Sequence, residues 1–229
     1  MNNKSSSEIV QSLVQKAQKA QSIFENYNQN QVDEVITAVA WTLCKPSNNK
    51  KISNLAVSET GLGNPEDKIL KNRRKTLGLL RDLKNIKTVG VINEDKEKGI
   101  IEIAKPVGIV AAVTPSTNPA ATPINNIINA LKGRNSIIVS PSPAGSKVFR
   151  DLLILINNEL KKISAPENLI QTFDCDVTKE LTNELMKNVD LVIVTGSLNN
   201  VREAAKSGTK AIGVGQGNVT SIVDETADL

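Results

Sequence analysis

Three short stretches hold the residues best suited to chemistry: Thr114-Pro-Ser-Thr-Asn118, Ser140-Pro-Ser-Pro143 and Thr195-Gly-Ser197. Each follows a run of β-branched apolar residues and precedes a helical pattern, so each reads as the carboxyl end of a parallel strand. Small hydroxyls beside the N–H groups of a helix start make a seat for phosphate. In open α/β sheets, ligands bind at such strand ends. Gly213-Val-Gly-Gln-Gly217 adds a glycine-rich turn after a late strand, where backbone can approach a ligand closely. Ordinary tight turns and capped loops remain the plain alternative for all four.

Other chemistries are poorly supplied. The chain has no histidine, which removes histidine-based triads and histidine metal sites. Cys44 and Cys175 lack metal spacing and suit a reducing compartment better than a disulfide framework. Cys44 closes an amphipathic helix and reads as structural. Cys175 lies between Asp174 and Asp176, whose charges oppose a thiolate. Glu59, Glu102 and Asp224 show no pairing. There is no Gly-x-Gly-x-x-Gly after a first strand and no Walker A motif. Spacing alone yields no catalytic constellation.

The elements that must position these residues divide the chain in two. Residues 1–7 are polar and expected to be disordered. Helical spacing then recurs over Ile9–Phe24, Val32–Leu43 and Ile52–Ser58, with a break at Lys45–Lys50 and a turn at Glu59–Gly63. Asn64-Pro65 predicts the N-cap and first position of a fourth helix, with Ile69, Leu77, Leu80 and Leu83 inward and Lys71, Arg73, Arg74 and Lys75 outward. From Thr88 the period changes. Thr88–Ile92 and Ile100–Ala104 predict a hairpin around a charged loop. Strands are expected at Val107–Val113, Ser136–Val139, Leu169–Phe173, Leu191–Val194, Ala211–Val214 and Ser221–Val223. Helices alternate with them: one after Pro119 capped by Asn118, then Ala144–Leu160, one around Leu181–Met186, and Asn200–Ser207. Strand–helix alternation marks βαβ units and a parallel sheet. Asp224–Leu229 looks like the opening of a further helix.

Composition agrees. Aromatics are only 2%, so Ile, Val, Leu and Ala must build the core, as in a buried parallel sheet. Few aromatics also argue against base stacking on nucleic acid. A net charge of +4 suits anionic small ligands better than DNA. No apolar signal core or membrane-length stretch occurs, so a cytoplasmic protein away from membranes is the expectation.

Taken in order, certain segments resemble the amino-terminal part of the aldehyde dehydrogenase superfamily, and its CoA-acylating branch in particular. They are Ser58-Glu-Thr-Gly-Leu-Gly63, Lys105-Pro-Val-Gly-Ile109, Thr114-Pro-Ser-Thr-Asn-Pro119, Asn135-Ser-Ile-Ile-Val-Ser-Pro-Ser-Pro143, Val194-Thr-Gly196, Lys210-Ala-Ile-Gly-Val-Gly-Gln-Gly-Asn218 and Asp224-Glu-Thr-Ala-Asp-Leu229. The resemblance implies an aldehyde-dehydrogenase-like α/β fold of Rossmann type. Residues 1–87 would form a helical region packed on an NAD(P)-binding domain at 88–229, incomplete at its carboxyl end and without the catalytic domain. It implies NAD or NADP as cofactor, coenzyme A and an aldehyde as small-molecule partners, a homo-oligomer, and no nucleic acid or membrane. It places the cofactor on Thr114, Pro115, Ser116 and Thr117, on Ser140, Pro141 and Ser142, on Thr195, Gly196 and Ser197, and on Gly213 and Gly215.

In the family an aldehyde forms a thiohemiacetal on cysteine, hydride leaves, and coenzyme A takes the acyl group from the thioester. Ser140 falls where hydrolytic relatives carry a ribose-binding lysine. Thr117 falls where they carry the oxyanion-hole asparagine, and Gly213 where they carry the glutamate that activates water. Glycine there fits transfer to a thiol. The family's nucleophile lies further along than Leu229, so this length of chain is expected to be inactive alone. A non-catalytic binding or structural protein on the same fold is the second reading. An anion or nucleic-acid binder using Arg73, Arg74 and Lys75 is the third.

Overall fold

The computed structural model describes residues 5–215, 217 and 219–228. Its first half is helical. Helix α1 (Ser6–Phe24) begins in a capping box: Glu8 N donates to Ser5 Oγ, and Ser5 N donates to the Glu8 carboxylate. Ser5 to Ser7 are therefore part of a helix start instead of a disordered tail, while 1–4 lie outside the described residues. Asn28 and Gln31 form a second box at the start of α2 (Gln29–Cys44). The expected break at Lys45–Lys50 shrinks to Lys45, because Pro46 needs no hydrogen-bond acceptor at the first position and starts α3 (Pro46–Thr60) at once. Gly61, at φ +65°, ends α3 in the left-handed conformation. Asn64 caps α4 (Pro65–Leu83) with Pro65 in its first turn, as expected.

The inward face of α4 keeps most of the expected stripe, with Leu80 and Leu83 packed against the core and Ile69 half-buried, but adds polar residues to it. Its buried residues are Lys68, Asn72 and Thr76, one helical turn apart, while Leu77 is 43% exposed. The cause lies on α3. Asn72 Nδ2 donates to Asn49 Oδ1 (3.0 Å) and Ser53 Oγ (3.1 Å), and Asn49 Nδ2 donates to the Ile69 carbonyl (2.9 Å). Polar groups can be buried when they satisfy each other in this way.

An exposed antiparallel hairpin, β1 (Gly90–Asp95) with β2 (Ile100–Ala104), follows. Then comes the main sheet: β3 (Ile109–Thr114), β4 (Ser136–Pro141), β5 (Ile170–Thr172), β6 (Leu191–Thr195) and β7 (Ala211–Val214). All pairs are parallel, in the order β5-β4-β3-β6-β7. The crossovers carry α5 (Ala121–Lys132), α6 (Ser146–Lys162), α7 (Lys179–Lys187) and α8 (Leu198–Lys206). Ser221–Val223 is not a strand. Among the described residues no strand pairs with it, and Ile222 is 90% exposed. Asp224 accepts from Thr226 N and Oγ1, so the segment after it opens as a side-chain-closed turn and not as a helix; Leu229 is outside the described residues.

Strand alternation divides the core into two layers. Val110, Ala112, Ile137 and Val139 face the cluster built by α2, α3, α5 and α6. Ile109, Ala111, Val113, Val192 and Val194 face the cluster of α1, α7 and Ala204 on α8. Phe24, Phe149 and Phe173, all the phenylalanines of the chain, are fully buried. Among the described residues no helix is long and apolar enough to cross a membrane.

The amino end of β3 is clamped from two sides. Asn135 Oδ1 accepts from the N–H groups of Val107 (2.7 Å) and Gly108 (3.0 Å), and Asp190 Oδ2 accepts from Ile109 N (2.7 Å). Gly108 has φ +121°, and a Cβ there would stand 2.2 Å from Asp190 Oδ2. Only glycine fits this position. The Lys105–Ile109 and Asn135 motifs thus set the height of β3, whose far end opens the site.

Candidate functional site

The chain builds β3, β4 and β5 outward to one side, then returns to lay β6 and β7 on the other. Between β3 and β6 the crossovers diverge, which leaves a crevice at the carboxyl ends. A cleft of about 690 Å³ occupies it, a size typical of small-ligand sites, roughly 300–1,000 Å³.

Eleven of the twelve residues expected at the cofactor meet there: Thr114, Pro115, Ser116 and Thr117 after β3, Ser140, Pro141 and Ser142 at the end of β4, Thr195, Gly196 and Ser197 at the end of β6, and Gly215 after β7. Gly213 does not line it. A Cβ on Gly213 would stand 2.7 Å from Val201 Cγ1, so this glycine admits α8 against β7. Gly215 serves the same packing, with Leu198 Cδ2 2.9 Å from its hypothetical Cβ. The turn's Gln216 and Asn218 lie outside the described residues.

Hydroxyls organise the rim. Ser142 accepts from Gly145 N (3.2 Å) and caps the short 3-10 turn Pro143–Gly145 that leads into α6. Thr178 accepts from Leu181 N (3.1 Å) and caps α7; Ser197 accepts from Asn200 N (3.3 Å) and caps α8. Each hydroxyl keeps its own proton to donate. Helix N-termini bring partial positive charge to the same rim. Ser142 N donates to the Thr114 carbonyl (3.0 Å), which ties the ends of β3 and β4, and Gly196 N donates to the Val214 carbonyl (3.2 Å), which ties β6 to β7. Ser140, almost fully buried, shares a 2.9 Å hydrogen bond with Thr182 of α7.

Asn118 is not the cap of α5. That helix starts at Ala121 after Ala120, with no side-chain cap, because the chain first bends through 116–118 and turns at 119–120. Asn118 Oδ1 and Thr114 Oγ1 are buried without a hydrogen-bond partner. Both residues line the cleft, where unsatisfied polar atoms suit a polar ligand. The donor hydroxyls and helix starts at the rim suit an anionic ligand.

Sequence reasoning missed two features. Lys68, on α4, is only 6% exposed and donates from Nζ to the Thr117 carbonyl (3.4 Å). Burial, and then Lys71, lower its pKa. An apolar-period reading cannot find a buried lysine. The second is the α7 wall, where Thr178, Lys179 and Thr182 join the cleft. Thr178 was recoverable as a helix N-cap; Thr182 shows its role only once α7 packs beside β4.

The cysteines stand elsewhere. Cys44 is half-buried at the end of α2, and burial pushes its thiol up against the opposing pull of Arg73. Cys175 is exposed, and neither lines the cleft. Among the described residues, no three acidic or cysteine side chains gather as metal ligands would.

The sequence profile of the aldehyde dehydrogenase family matches residues 2–229. The chain belongs to the aldehyde dehydrogenase family. Among family members it is 52% identical over 222 residues to a sulfoacetaldehyde dehydrogenase (acylating) of Cupriavidus necator, covering 97% of this chain and 45% of the relative. An acetylating aldehyde dehydrogenase from Geobacillus thermoglucosidasius superposes with a TM-score of 0.89 at 38% identity, over 93% of this chain and 47% of that one. An engineered glycolyl-CoA reductase with bound NADP+ has a TM-score of 0.81 at 31% identity, over 96% and 49%. The chain thus spans about half the length of these aldehyde dehydrogenase relatives.

Proposed function

We propose that this chain is the dinucleotide-binding portion of a CoA-acylating aldehyde dehydrogenase, which converts an aldehyde, coenzyme A and NAD(P)+ to acyl-CoA and NAD(P)H. The observation that carries the reading is the cleft at the switch point between β3 and β6, lined by eleven of the residues where the resemblance places the cofactor. Residues 88–229 hold the dinucleotide; residues 1–87 brace it, with α1 on one face of the sheet and α2 and α3 in the core of the other.

When bound, NAD(P)+ accepts the hydride that the aldehyde carbon loses. The chain's residues prepare that step. The hydroxyls of Ser142 and Ser197 and the start of α8 would bind the pyrophosphate. Sulfoacetaldehyde, the substrate named for the Cupriavidus relative, is the first aldehyde to assay. A second supporting feature is the position of Cys44 and Cys175 outside the cleft. Covalent catalysis needs a thiolate about 3–3.5 Å from the aldehyde carbon, so these 229 residues alone form no NAD(P)H.

Calorimetry with NAD+, NADP+ and coenzyme A tests the reading. Millimolar or tighter binding of a dinucleotide is expected. No binding by any of the three counts against it, and robust turnover abolished by Cys44→Ala or Cys175→Ala counts against the assignment of the nucleophile elsewhere.

A further inference from the structure

The cleft has one cationic side chain and one carboxylate among its described lining residues, Lys179 and Glu203. Glu203 belongs to α8 and has the Lys206 ammonium 3.6 Å away. Lys179 is exposed, and none of the ion pairs among the described residues includes it. It is the first residue of α7, next to the Thr178 cap. A cation there opposes the positive end of the helix dipole. Folding gains nothing from a lysine in that place.

The hydroxyl residues Ser140, Ser142, Thr178 and Thr182 line the same cleft, Thr178 and Thr182 from α7 and its cap. In doubly wound sheets the adenosine ribose lies beside the end of the strand adjacent to the first, which here is β4. A carboxylate at that end would bind a free ribose 2′-hydroxyl and repel a phosphate. In this chain β4 ends in Ser140-Pro141 followed by Ser142, with no acid, and Asp174 and Asp176 lie outside the lining. Among the described lining residues the unpaired cation thus stands on α7, the helix that hydrogen-bonds the acid-free end of β4 through Thr182 and Ser140.

We infer that Lys179 is a specificity-determining residue that recognises a phosphate on an adenosine ribose. The inference rests on the proposed dinucleotide reading of the cleft. Two ligands carry this group: NADP+ has it at the 2′ position, coenzyme A at the 3′ position. NAD+ and 3′-dephospho-coenzyme A lack it and are otherwise the same.

Calorimetry of the 229-residue chain with these four ligands, in wild type, Lys179→Met and Lys179→Glu, separates the possibilities. Wild type should bind at least one phosphorylated ligand about fivefold or more tightly than its unphosphorylated partner. A preference within the dinucleotide pair assigns the 2′-phosphate, and one within the coenzyme A pair assigns the 3′-phosphate. Lys179→Met should abolish the preference. Lys179→Glu should reverse it and raise Tm, since an acid at the helix start suits the dipole; the Tm also reports that the variant is folded. Equal binding within both pairs by wild type, or a preference that survives in Lys179→Met, overturns the inference and leaves the dinucleotide reading standing. Failure of all four ligands to bind overturns both.

Discussion

The Lys68 ammonium donates to the carbonyl oxygen of Thr117 across 3.4 Å, joining α4 to the turn at the mouth of the cleft. Its helix is held in register by the Asn72–Asn49–Ser53 network. Lys68→Met should loosen that turn. Faster amide exchange at 116–118 is expected, with dinucleotide binding weakened by about 1 kcal/mol, the scale of one hydrogen bond. Unchanged exchange would show that the turn holds itself.

The same lysine gives a pH signature. Burial, and then Lys71, lower its pKa below the ordinary lysine value of 10.5. The folded chain therefore holds this proton less tightly than the unfolded chain. The cost is fully present at neutral pH and is relieved as pH climbs through the folded value towards 10.5. Lys68→Met lacks that cost. The stability difference should shift in favour of wild type between neutral and alkaline pH, measured by denaturant unfolding. A pH-independent difference would mean that burial does not perturb Lys68.

Gly108→Ala should be severely destabilising, by roughly 3 kcal/mol or more, since it meets both an unfavourable φ and the Asp190 carboxylate. Asp190→Ala meets no clash and only strands Ile109 N, and should cost less, about 1–3 kcal/mol. Denaturation curves that rank the two in the opposite order would contradict the clamp.

Gly213→Ala tests the packing role directly. Overpacking against Val201 should cost about 1–3 kcal/mol. Val201→Ala in the same chain should recover part of it, as a double-mutant cycle would show. Additive effects would mean that Gly213 does not serve the approach of α8.

Thiol labelling should be sequential. Exposed Cys175 reacts first; Cys44, half-buried with its thiol pushed up, reacts slowly and accelerates as pH rises. Simultaneous labelling at neutral pH in the folded chain would contradict that environment.

Much of this was legible in the residues. The β-branched runs before Thr114, Ser140 and Thr195 marked strands, and the small residues after them marked the site, because both signals are local. Pro46 was misread as a breaker when it starts a helix, since helix interruption and helix initiation share the same residue. On α4 the periodicity finds Leu80 and Leu83 but not Asn72, whose burial depends on Asn49, a contact no periodicity reveals. Gly213 looked like a ligand turn, and only the approach of Val201 shows its packing role. Ser221–Val223 has strand composition but no strand beside it.

The central claim is that the cleft between β3 and β6 holds a nicotinamide dinucleotide. Hydrogen exchange with and without millimolar NADP+ tests it most directly. The account predicts added protection at 114–118, 140–145, 178–182 and 195–200, with the β1–β2 hairpin unchanged. Binding that protects other segments and leaves these four as they were would contradict it.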